Sequence, residues 1–158
     1  MLTLRRERAV HIESDAFFRF IAKGYVDPWR PEAHEQNTTV MQILGDAAVR
    51  YARAGYWTII DGIVIPGWFL EPLRDLIGSA GFDVAYAVLR PPLSVAAERA
   101  AHRGSDPLAR RGVVEQLWNS FSDMGPLESH VIELTERQTP DEMARIVAER
   151  LERGTLTL

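Results

Sequence analysis

The stretch Tyr56-Trp57-Thr58-Ile59-Ile60-Asp61-Gly62 runs through β-branched and aromatic residues without a break and closes on an acid. Apolar residues at successive positions predict a strand buried on both faces, as in parallel sheets covered by helices. Asp61 then falls at the strand's carboxyl end, where open α/β sheets hold their ligands. Ahead of this strand, Val40, Ile43, Leu44, Ala47, Ala48 and Tyr51 recur at helical spacing. Pro31 suits the opening of that helix and Gly55 its end. Beyond the strand, Pro66 to Ala80 predicts a short helix that Gly81 closes.

The same alternation extends to both ends of the chain. Arg8 to Ile12 reads as a first strand, running into Glu13-Ser14-Asp15 and a helical segment from Ala16 to Ala22. Phe82 to Leu89 reads as a further buried strand, and Arg90-Pro91-Pro92 starts a helix reaching about Arg103. Asp106-Pro107 predicts a cap and first turn for a helix through Phe121. His130 to Leu134 predicts the last strand, and Thr139-Pro140-Asp141-Glu142 a capping box for a helix ending near Gly154. Strands alternating with helices predict an α/β fold, a three-layer α/β/α sandwich with a mostly parallel sheet. Without a repeat, linker or low-complexity tract, residues 1–158 are expected to form one domain.

Composition narrows the function. A net charge of -4 argues against nucleic acid, whose binding rests on a basic face. With no cysteine there is no disulfide, thiolate metal site or cysteine nucleophile. Met1 to Val10 lacks the apolar core of a signal peptide, and no apolar run is long enough to span a bilayer, so a cytoplasmic location is expected. His11, His34, His102 and His130 show no metal-ligand spacing. Trp29, Trp57, Trp68 and Trp118 read as core or pocket wall rather than as stacking platforms for bases.

Several charged groups fall at predicted strand ends. Asp15 follows the first strand, Asp61 the second, and Arg90, Arg99 and Arg103 the third. Two acids and three arginines suit phosphoryl transfer. One acid accepts a hydroxyl proton, another holds hydrated magnesium, and arginines spread over developing negative charge. Simpler roles fit the same residues. Asp-Gly pairs end strands in turns, Asp15 suits an N-cap for Ala16 to Ala22, and Arg99 and Arg103 one helical turn apart suit a solvated face.

The strings HIESDAFFRFI…GYVDPWRPEAHEQN, YARAGYWTIIDGIVIPGWFL and VLRPPLSVAAERAAHR, in this order and spacing, resemble the small P-loop kinases. These include chloramphenicol phosphotransferase-like proteins, gluconate kinases and shikimate kinases. The resemblance runs from Arg8 to the last helix. It implies a P-loop NTPase-like fold and transfer of the γ-phosphoryl group of ATP, with Mg²⁺, to a hydroxyl of a small molecule. It implies that Asp15 contacts the substrate as base and that Asp61 is the Walker B carboxylate, holding the metal. It implies a lid over about residues 99–112, whose Arg99 and Arg103 reach the nucleotide phosphates, with Arg110 and Arg111 as further candidates. Gln36, Asn37 and the Tyr25 to Trp29 loop with Arg30 fall in the substrate-side region.

One part of the pattern is missing. The sequence contains no G-x-x-x-x-G-K-S/T, the loop that cradles phosphates with backbone N–H groups and a lysine. Lys23, the only lysine, is followed by Gly24 with no glycine-rich turn before it. In the family the loop and its strand precede the point where this chain begins. Met1 to Arg6 resembles the tail of the helix after that loop. The expectation is that roughly 20–25 residues are lacking, the strand, loop and half-helix of a βαβ unit, and a start codon placed too far downstream accounts for it most simply. In related kinases the lacking strand is flanked by those ending at Asp61 and near Leu89. The chain by itself is then expected to be inactive. A binding protein that kept the acceptor pocket and lost the nucleotide site, or an ATP hydrolase or switch, are the alternatives.

Overall fold

The computed structural model describes residues 7–102 and 111–158. It is a mixed α/β protein, dividing into one compact unit through Val84 and a second from Ala85 onward.

In the first unit, strand β1 (Ala9–Glu13) leads directly into helix α1 (Ser14–Arg19). A 3-10 turn at Pro31–Ala33 then opens helix α2 (His34–Arg53), and Pro31 stands at its start as expected. Gly55 follows α2 with φ of 81°, a left-handed conformation that costs other residues more, and its N–H bonds Ala52 O at 2.9 Å. The chain turns there into β2 (Trp57–Asp61), which pairs in parallel with β1, Ala9 opposite Trp57 and Glu13 opposite Asp61. Helix α3 (Leu70–Ser79) starts four residues later than the sequence pattern suggests. The segment before it is held instead by turns in which Phe69 N–H bonds Ile65 O at 3.0 Å.

One face of the β1–β2 pair carries Val10, Ile12 and Ile60, which pack against Val40, Met41 and Leu44 of α2, Phe69 just before α3 and Leu73 within it. Leu44 is wholly buried, and truncating such a side chain to alanine typically costs about 2–5 kcal/mol. At Gly45 an added Cβ would lie 3.1 Å from methyl groups of Leu73 and Leu76, so α2 and α3 approach closely where a side chain is absent.

The second unit holds β3 (Val88–Arg90) and β4 (Val131–Glu133), again parallel, with Val88 opposite Val131. Between them in sequence come α4 (Leu93–Ala101), α5 (Arg111–Asn119) and a 3-10 turn at Gly125–His130. Helix α6 (Pro140–Glu152) follows β4. The predicted strand over Phe82 to Leu89 pairs regularly only from Val88. Upstream, Ala85 bridges Thr157 in antiparallel fashion, and Tyr86 N–H bonds Leu156 O at 2.8 Å. The chain terminus therefore takes up part of that segment's backbone, and Leu156 is fully buried with Ile132, Leu134 and Val147. The capping box is formed: Thr139 Oγ1 accepts from Glu142 N–H at 3.3 Å, and Glu142 accepts from Thr139 N–H at 2.8 Å. Among the described residues no helix is long and apolar enough to cross a membrane.

Candidate functional site

Three acids of the first unit, Glu13, Asp15 and Asp61, lie at or just past the carboxyl ends of β1 and β2. Register sets Glu13 beside Asp61, and Asp15 follows two residues after Glu13, in the first turn of α1. Asp15 is thus not an N-cap: Glu13 holds that position, without a side-chain cap bond. Glu13 is paired with Arg19 at 3.2 Å. Asp61 is exposed, and its Oδ2 lies 3.3 Å from Nε2 of His11. Sequence reasoning placed His11 in a strand without linking it to Asp61. The pairing of β1 with β2 makes that link, because His11 and Asp61 are diagonal neighbours on one face.

The two strand ends are joined by an unusually close packing. Ser14 is buried, and a Cβ built on Gly62 would sit 1.9 Å from its Oγ and 2.7 Å from its Cβ. Only glycine fits after Asp61 here. The Asp-Gly turn and the start of the Asp15 helix are therefore set against each other by contact.

Gln36 and Asn37 stand in the first turns of α2, and their amides are engaged by the preceding loop. Gln36 accepts from Val26 N–H at 2.9 Å and donates to Val26 O at 2.7 Å. Asn37, almost fully buried, donates to Pro28 O at 2.7 Å. These bonds fix the loop that displays Arg30, exposed, and Trp29, half-buried. Arg30 itself lies 3.5 Å from Glu32. Gln36 and Asn37 act on this region through the loop they hold.

The arginines separate by role. Arg90 is buried at the end of β3, and its five N–H groups all find partners. Nε donates to Glu133 at 2.9 Å, and one terminal nitrogen donates to Phe121 O at 2.7 Å and Ser122 O at 3.1 Å. The other terminal nitrogen pairs with both Glu128 and Glu133. Those hydrogen bonds, Glu133 first and Glu128 second, raise the guanidinium's affinity for its proton further. Arg90 is a structural hub of the second unit, not the phosphate-facing group its place after the strand suggested. Arg99 is exposed on α4 and borders an open depression lined by Ser94, Val95, Glu98, His102 and Glu136. Arg103 and Arg110 lie outside the described residues, as do most of the expected lid and the Asp106-Pro107 cap.

Among the described residues no group of three or more His, Asp or Glu side chains could hold a metal ion. Asp61 alone suits a hydrated Mg²⁺, which is commonly held by one or two carboxylates with waters and substrate phosphates completing its shell. The described residues offer no glycine-rich turn to cradle the phosphates of ATP. No protein-family model matches the chain, and no curated protein matches it significantly.

Proposed function

We propose that the chain is the acceptor-binding part of an ATP- and Mg²⁺-dependent phosphotransferase that acts on a hydroxyl of a small molecule. The observation that carries this reading is the placement of Asp61 at the end of β2 and of Asp15 in the first turn of the helix that follows the adjacent parallel strand β1, with Ser14 packed against Gly62. In this reading the fold is the three-layer, P-loop NTPase-like sandwich.

Asp15 takes the acceptor's hydroxyl proton, and Asp61 bears on the hydrated metal when it is present. Trp29 and Arg30 border the acceptor, on a loop fixed by Gln36 and Asn37. Arg99, with Arg103 and Arg110, is assigned to phosphate. The phosphate cradle has to come from outside these 158 residues, because their sequence contains none. That same fact favours one second reading, a protein that binds the small molecule without transferring phosphate.

Two measurements separate them. The first is the intact mass of the protein from its native locus, with the in-frame DNA upstream of Met1. The second is an ADP-release screen over hydroxylated acceptors with whatever longer protein that locus encodes. The phosphotransferase reading expects G-x-x-x-x-G-K-S/T upstream and acceptor-dependent ADP release that Asp61→Ala or Asp15→Asn lowers at least a hundredfold. A native mass equal to the 158-residue chain, with acceptor binding indifferent to ATP and to Asp61→Ala, establishes the binding protein instead.

A further inference from the structure

β2 has a second edge. In a parallel pair, a residue whose N–H and C=O both turn toward the neighbour alternates with one whose groups turn away. Trp57 N–H bonds Arg8 O at 2.9 Å, so Trp57, Ile59 and Asp61 face β1 and the backbone of Thr58 and Ile60 points outward. Among the described residues nothing pairs with those outward groups. The edge also lacks the usual protections: from Trp57 to Ile60 there is no proline, lysine or bulge, and each residue is only partly buried. β4 differs in this respect, since its outward-facing Val131 carbonyl accepts from Arg150 at 2.7 Å.

Charge along the same strands is polarised. The starting end of β2 lies beside Arg8, whose guanidinium stacks 4.1 Å from the Tyr56 ring. Arg50 and Arg53 close α2 just ahead of that end and share a depression with Asp46, which leaves an excess of positive charge. The finishing end carries Asp61 and Asp15, with Glu13 offset by Arg19. Glu7 is the one acid next to Arg8 in sequence.

We propose that β2 pairs antiparallel with β2 of a second copy of this chain. A two-fold axis through Ile59 sets Thr58 opposite Ile60 of the copy and Ile60 opposite its Thr58. Each of these pairs exchanges two backbone hydrogen bonds through the outward groups. The same operation brings the acidic end of one copy to the basic end of the other, and keeps like charges apart. The proposal goes beyond the phosphotransferase reading, and any further strand brought to this edge competes with the copy for it.

The test is sedimentation equilibrium of the full chain from micromolar to millimolar concentration. The expected result is a reversible dimer of twice the 17.8 kDa chain mass, weakened by salt. Ile59→Lys sets two cations against each other at the axis and raises the dimer Kd by roughly tenfold or more. Ile60→Pro removes an outward N–H without touching the bonds to β1 and does the same. If circular dichroism shows that this proline variant unfolds, Ile59→Lys decides. Arg8→Glu weakens the dimer, and adding Asp61→Arg restores it. A monomer at every concentration overturns the proposal. A dimer indifferent to Ile59→Lys overturns the surface, and one indifferent to Arg8→Glu overturns the antiparallel arrangement.

Discussion

Nε2 of His11 and Oδ2 of Asp61 lie 3.3 Å apart across two strands. The side chains keep 40% and 66% of their exposure, so water screens the pair and its worth to the fold is small. His11→Ala is expected to change unfolding free energy by less than about 1 kcal/mol in urea titration. A larger loss would mean that the pair supports the fold rather than orienting the Asp61 carboxylate.

Gly62 has no room for a methyl group. Gly62→Ala drives a Cβ into Ser14 and is expected to cost about 1–3 kcal/mol. Ser14→Ala gives little relief, because the Ser14 Cβ is itself 2.7 Å from the added atom. Ser14→Gly removes both clashing atoms, so the double variant should recover part of the loss. Chemical denaturation of the four proteins checks this, and an additive double variant would contradict the contact.

Arg90 joins two acids and two carbonyls, and its side chain is 9% exposed. Arg90→Ala leaves the carbonyls of Phe121 and Ser122 without their donor and is expected to cost about 3 kcal/mol or more. The same guanidinium, and then the Met124 N–H, holds the Glu128 carboxyl below its ordinary value of 4.5. Glu142 is lowered likewise, by the Thr139 N–H first and the Thr139 hydroxyl second. Carboxyls lowered in the folded state bind fewer protons there than in the unfolded chain. Their stabilisation is complete above about pH 4.5 and is lost as pH falls through the lowered values. Urea midpoints followed from neutral into acid should therefore fall below that pH, and Glu142→Gln should flatten part of the fall.

Lys23 is the only lysine and precedes the loop that Gln36 and Asn37 hold. A lysine-specific protease therefore reports on that loop with a single cut. Gln36→Ala is expected to speed cleavage after Lys23 several-fold while leaving the global unfolding midpoint within about 1 kcal/mol of the parent. Asn37→Ala removes a buried donor and should cost about 1–3 kcal/mol as well as speeding the cut. Equal cleavage rates in all three proteins would show that these amides do not hold the loop.

Several regular elements were legible from local rules. The Thr139 capping box, the Pro31 start and the Gly55 stop all stand as the sequence pattern predicts. Two readings failed on local grounds, the α3 start at Pro66 and the Asp15 cap, and others were set by distant residues. The segment over Phe82 to Leu89 is strand-like in composition, but at Ala85 and Tyr86 it bonds the tail at Thr157 and Leu156, about seventy positions away. Arg90 looked available because it follows a strand. Its partners Glu128 and Glu133 are brought to it only by the parallel pairing of β3 with β4. Asp61 and Asp15 were placed by strand-end logic alone, whereas the His11 contact needed the register.

The fit of Gly62 against Ser14 bears on motion as much as on stability. The contact couples the turn bearing Asp61 to the helix bearing Asp15, so that displacing one presses on the other. The relative placement of that turn and that helix start is therefore set when the chain folds, and its entropic cost is met then.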